Sequence, residues 1–130
     1  MKSIIISVVA VVLLIGGSFF LFRDNQNGSA AQDTSSNVSI VDGKQIIEIN
    51  AKGGYSPRTT TAKADIPTVL RVKTKGTFDC SAALKIPSIK YKNILPASGN
   101  TDINIPSQKS GSTIQGLCYM AMYSFIIKFN

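Results

Sequence analysis

The chain has no histidine and no tryptophan, two cysteines and, besides Met1, two methionines in 130 residues. Each shortage removes a class of function. Without imidazole the commonest general base is missing, and no nucleophile stands beside a base elsewhere, so the chain is not expected to be an enzyme. The blue-copper electron-transfer centre, which needs two imidazoles, is excluded for the same reason. Acidic side chains are also scarce, seven against fourteen Lys and Arg, for a formal net charge of +7. All of that excess falls after residue 37, where it either solvates the surface or faces anionic lipid or an acidic partner. No aromatic-basic interleaving, phosphate-cradling glycine loop or zinc-finger spacing occurs, so nucleic acid is not an expected partner.

Long apolar runs are absent except at the start. Ile4 to Phe22, IIISVVAVVLLIGGSFFLF, carries no charge in nineteen residues. At 1.5 Å per residue this matches the ~30 Å hydrocarbon core of a bilayer. A cleaved signal peptide would have a shorter apolar stretch with a small-residue site close behind it, whereas Ser29-Ala30-Ala31 lies several polar residues downstream. Residues 1–23 therefore read as a transmembrane anchor. Lys2 and the α-amine favour a cytoplasmic N-terminus, which places the remainder on the extracellular side of the cell membrane. Residues 24–37, DNQNGSAAQDTSSN, lack any large apolar side chain and read as a flexible linker. The folded domain is expected over residues 38–130.

Within it, β-branched runs alternate with turn signals. Val38 to Val41, Gln45 to Asn50, Thr68 to Thr74, Ile89 to Leu95, Thr101 to Ile105, Ser112 to Met120 and Ser124 to Phe129 read as strands. In TVLRVKT the alternation of Leu70, Val72 and Thr74 with Val69, Arg71 and Lys73 is that of a half-buried antiparallel strand. No helical period with caps follows Phe22, although one helical turn is conceivable around Ser81 to Leu84. About seven short strands point to an all-β Greek-key sandwich or barrel.

The remaining signal is sulfur. In Gly116 to Ser124, GLCYMAMYS, one of the two cysteines and both internal methionines stand at alternate positions. On a strand, Cys118, Met120 and Met122 would share a face; if the strand ends early, the thioethers sit on a loop instead. Core filling accounts for an isolated Met-x-Met, since Met is a common gap filler. Two cysteines in an exported domain ordinarily form a disulfide. Thiolate and thioether together, however, form a soft donor set that favours Cu(I), and zinc seldom recruits Met.

STIQGLCYMAMYSFIIKFN and the upstream TFDCSAALKIPSIKYKNILPASGNTDINIPSQKSG resemble the CupA-like, membrane-anchored Cu(I) chaperones of streptococcal copper-resistance systems. They also resemble the N-terminal domain of the cognate copper-exporting P-type ATPase. The resemblance implies a cupredoxin-like fold with a sulfur-only metal site. Cys80 and Cys118 would be thiolates bridging two Cu(I) ions, and Met120 and Met122 would complete a second, weaker and more exposed position. It implies a tethered chaperone that passes Cu(I) to a copper-exporting P-type ATPase. Lys85, Lys90 and Lys92, near Cys80 in the chain, are the candidates for a docking face. The rival expectation is an exported, disulfide-stapled β-sandwich interaction domain without metal.

Overall fold

The computed structural model describes residues 34–130. The expected anchor, residues 1–23, and most of the expected linker lie outside the described residues. Among the described residues no helix is long and apolar enough to cross a membrane.

The architecture is all-β, two five-stranded sheets. The strands are β1 Val38–Val41, β2 Lys44–Ala51, β3 Tyr55–Ser56, β4 Thr59–Ala62, β5 Thr68–Thr74, β6 Ala83–Ile86, β7 Tyr91–Ile94, β8 Gly99–Ile105, β9 Thr113–Cys118 and β10 Ser124–Phe129. One sheet runs β1-β2-β5-β8, with β3 on the end of β2, and the other runs β4-β10-β9-β6-β7.

Period-two patterning sets which residues face inward. On β2, Ile47, Ile49 and Ala51 are buried; on β5, Leu70 and Val72; on β10, Phe125, Ile127 and Phe129. These join Leu84, Ile86, Ile103, Ile105 and Ile114 in a single core between the sheets. Removing that apolar area from water drives the packing at about 25 cal/mol per Å². The outer face of the first sheet is polar, and its charges pair across strands: Arg71 with Asp102 at 2.8 Å and Lys73 with Glu48 at 2.8 Å.

Three local expectations change. β5 keeps its alternation but is antiparallel only to β8; it lies parallel to β2, and β4 lies parallel to β10. Three strands with no counterpart in the sequence reading appear at β3, β4 and β6. β4, TTTA, has no large apolar residue and is held by its ladder to β10, while β6, ALKI, is four residues closed by Pro87. The fold also reaches back into the expected linker. Ser35 accepts the Thr61 N–H at 2.7 Å, and the Asn37 side-chain amide donates to Glu48 O and Thr60 Oγ1, both at 2.9 Å. Composition missed these residues because hydrogen bonds to the sheet, rather than apolar burial, hold them.

Candidate metal centre

β2, β5 and β9 all deliver their C-termini to one end of the sandwich, and the sulfurs gather there. After β5 the chain turns through Lys75 and Gly76, and the Thr77 hydroxyl donates to Ala51 O at 2.5 Å. Asp79 then caps a three-residue 3-10 turn, Cys80–Ala82. One Asp79 carboxylate oxygen accepts the Ser81 N–H at 2.8 Å and the Ser81 hydroxyl; the other accepts the Gly53 N–H at 2.7 Å. From below, the Tyr55 hydroxyl donates to Ser81 O at 3.0 Å. Cys80 is thus held between an aspartate clamp and a buried tyrosine.

Cys118 is the last residue of β9, opposite Leu84 of β6, and is fully buried. Beyond it the strand stops. The Cys118 N–H donates to Tyr123 O at 3.0 Å and the Ala121 N–H to Cys118 O at 2.8 Å, which closes a tight loop over residues 119–123. Ala121 adopts a left-handed φ of 57°, at a cost of about 1–2 kcal/mol that the surrounding bonds offset. Tyr119 is fixed by its N–H to Ala83 O, 2.9 Å, and by Lys92, whose Nζ lies 4.7 Å from the ring centroid. Tyr123 packs on Gly54, where a φ of 115° calls for glycine and an added Cβ would come to 3.3 Å from the ring.

Of the two geometries left open by the sequence, the loop is therefore the one adopted. Met120 and Met122 are 74% and 64% exposed, so neither fills the core. Cys80 and Cys118 meet as expected, with Cα atoms 5.6 Å apart, and in this structure they are joined as a disulfide. The two sulfurs therefore stand as one S–S unit, not as two thiolates, and a soft cation would need that bond reduced before Cys80 and Cys118 could bind it. Among the described residues, no three His, Cys, Asp or Glu side chains gather to hold a metal. The four sulfurs are the soft donor set on offer.

The lysines separate. Lys92 lies against Tyr119 beside the loop, and Lys85 is its register partner on β6. Lys90 occupies the turn at the other end of the β6–β7 hairpin, away from the sulfurs. Arg58 and Lys52 share a cleft of about 230 Å³ with Met122 and Tyr123.

The supports of Cys80 were not singled out in the sequence. Asp79 had a signal, an Asp directly before a short helical turn, which is a favoured N-cap. Tyr55 had none, because its role depends on a residue 26 positions away. The Ser81 hydroxyl and N–H, then the Gly53 N–H and Lys52, hold the Asp79 carboxyl below its ordinary range. Burial, and then the Asp79 charge, pushes the Tyr55 hydroxyl well above its ordinary value, so it stays a donor. Because the folded-state pKa of Asp79 lies below the unfolded one, its stabilisation is full above the ordinary carboxylate range. It is lost as pH falls through the lowered value. Asp79→Ala is expected to cost about 1 kcal/mol, or a melting temperature lower by roughly 4–8 °C at neutral pH. The gap to the native protein should close in acid; a gap of constant size in thermal melts across pH would show that the carboxylate does not hold this turn.

No family model and no curated protein matches the chain. Among solved structures, the fold is similar to the metal-binding domain of the Cu(I)-exporting P-type ATPase CopA of Streptococcus pneumoniae D39, in a structure with Cu(I). The TM-score is 0.63 at 19% identity, over 72% of this chain and 92% of that one. It is likewise similar to a copper binding protein whose apo form was solved by NMR, with a TM-score of 0.64 at 19% identity, over 72% of this chain and 94% of that one. At this identity the likeness is one of fold: the chain has the β architecture of these copper-binding domains.

Proposed function

We propose that this chain is a membrane-tethered Cu(I) carrier. The observation that carries the reading is the placement of the two internal methionines. Both are exposed on the loop that begins at one of the only two cysteines, with the second cysteine directly across. A thioether in water gains nothing from packing, so core filling does not account for the pair. Once reduced, Cys80 and Cys118 provide two thiolates, and Met120 and Met122 provide weaker soft ligands on the solvent side. The similarity in fold to two copper-binding domains supports the same reading.

The division of labour suits transport of a cargo ion. The buried Cys118 and half-buried Cys80 thiolates supply affinity, and exposed thioethers supply an exit along which Cu(I) moves to another protein by ligand exchange. Two ions would be carried, both bridged by the thiolates, with Met120 and Met122 completing the position of the second, more labile one. The acceptor would be a copper-exporting P-type ATPase, and the N-terminal anchor would hold the cupredoxin-like domain outside the cell membrane beside it. Tethering raises the local concentration of carrier to about millimolar without new contacts.

The test is an anaerobic Cu(I) titration of the reduced chain against a colorimetric chelator, with Met120→Ala/Met122→Ala alongside. The native protein is expected to withhold two ions and the double variant one. Equal stoichiometry would remove the methionines from the site.

A second reading rests on the bond itself. The Cys80–Cys118 disulfide closes the turn after β5 onto the end of β9, as a staple in an exported interaction domain would. That reading requires reduced protein to withhold no copper.

A further inference from the structure

The sulfur end carries more exposed apolar surface than copper binding uses. Phe78, at the tip of the loop before Asp79, is 88% exposed, and Ile94, which pairs with Ala83 beside Tyr119, is 68% exposed. With Met120 and Met122 they make four large apolar side chains in water at one end of the sandwich. A cluster of this kind, rimmed by polar residues, marks a contact surface.

The rim is cationic. Lys52 and Arg58 stand beside Met122, Lys92 beside Tyr119, and Lys75 in the turn that leads to Phe78. None of the four is in an ion pair among the described residues. Among the described residues the one acid at this end, Asp79, spends its carboxylate on Ser81 and Gly53. The other described acids are elsewhere: Asp42 and Asp65 lie in turns at the opposite end, and Glu48 and Asp102 are paired with Lys73 and Arg71 on the outer sheet face.

We propose that this end of the domain rests on an anionic lipid surface, with Phe78 and the Met120 loop in the headgroup region and Lys52, Arg58, Lys75 and Lys92 against lipid phosphates. Apolar tips within a ring of cations are what an interfacial contact requires. The proposal rests on the tethered reading above, and chain length favours lipid over a free partner. Between Arg23 and Ser35 the chain spans at most roughly 40 Å, so an anchored domain never leaves the neighbourhood of the bilayer. The copper loop would then be presented at the membrane surface, level with the mouth of an integral acceptor.

Because the chain lacks tryptophan, Phe78→Trp introduces a single reporter at an exposed position that the fold does not use. The full chain carrying it is reconstituted into lipid nanodiscs of phosphatidylcholine alone, or with phosphatidylglycerol, each with and without brominated acyl chains. In anionic discs the emission is expected to shift to shorter wavelength and to be quenched by the brominated lipid, and high salt should reverse both changes. Neutralising Lys52, Arg58 and Lys75 to Gln should weaken docking about fivefold each, roughly a hundredfold together. Coelution with the discs reports the anchor separately. A chain that coelutes but keeps a water-like, unquenched emission leaves the tether standing and overturns the docking. A chain that does not coelute overturns both. Emission that changes only when the metal-binding domain of a Cu(I)-exporting ATPase is added assigns the rim to a protein partner and also overturns the lipid proposal.

Discussion

Reducing the Cys80–Cys118 bond is expected to lower the melting temperature by roughly 20 °C and, in the same step, to create a Cu(I) affinity that the oxidised protein lacks. The first part follows from chain entropy. A cross-link between residues 38 apart restrains the unfolded chain by about 4 kcal/mol, and a domain of about a hundred residues loses roughly 4–8 °C per kcal/mol. The second part follows from ligand chemistry: a disulfide sulfur offers no thiolate, whereas two reduced cysteines offer two within one site. Cu(I) should then restore much of the lost melting temperature, because an ion that binds the folded state alone stabilises it in proportion to the logarithm of its excess over Kd. Cys118→Ser should melt like the reduced protein and gain nothing from Cu(I). Calorimetry of oxidised, reduced and Cu(I)-loaded protein decides the matter. Equal copper retention by oxidised and reduced protein would remove the thiolates from the site, and no retention by either would leave the stapled interaction domain as the function.

Gly116→Ala is the second large effect, and it originates in the core. Gly116 is a buried strand residue whose added Cβ would fall far inside van der Waals contact distance of the Phe125 ring carbons. Phe125 cannot yield into solvent, being fully buried with its ring edge-on to Tyr55 at 5.1 Å. Tyr55 in turn holds Ser81 O, next to Cys80. Overpacking here should cost about 3 kcal/mol, with a melting temperature lower by roughly 12–24 °C. The displacement should also reach the Cys80–Cys118 site and, on the carrier reading, weaken Cu(I) retention in the reduced protein, although position 116 contributes no ligand. Chemical denaturation and chelator competition on one sample measure both. A stable variant would mean that the core accommodates the methyl by repacking, and a destabilised variant with native retention would mean that Tyr55 does not position Cys80.

Much of the site was legible because its residues are chemically rare. Cys80, Cys118, Met120 and Met122 stand out by type alone, and the pairing of the two cysteines agrees with the disulfide expected of an exported domain. Whether Met120 and Met122 point into the core or into water was not legible. That turns on where β9 ends, and β9 ends at Cys118 because the loop closes through the Tyr123 carbonyl and a left-handed Ala121. The same limit applies to strands. Gln45 to Asn50 and Thr68 to Thr74 announced themselves by alternation, while Thr59–Ala62 and Ala83–Ile86 become strands only because β10 and β9 lend them ladder partners.

The sequence by itself determined the class of fold and the softness of the sulfur donor set. Period-two apolar patterning, composition and side-chain chemistry are local properties that need no neighbour. Only the tertiary structure decided that the methionines stand in solvent, that Asp79 and Tyr55 clamp the Cys80 turn, and that Phe78 and Ile94 join a cationic rim at the same end. The first turns on how the 119–123 loop closes; the clamp and the rim depend on hydrogen bonds and packing between residues tens of positions apart, which exist only once the two sheets have closed on one another.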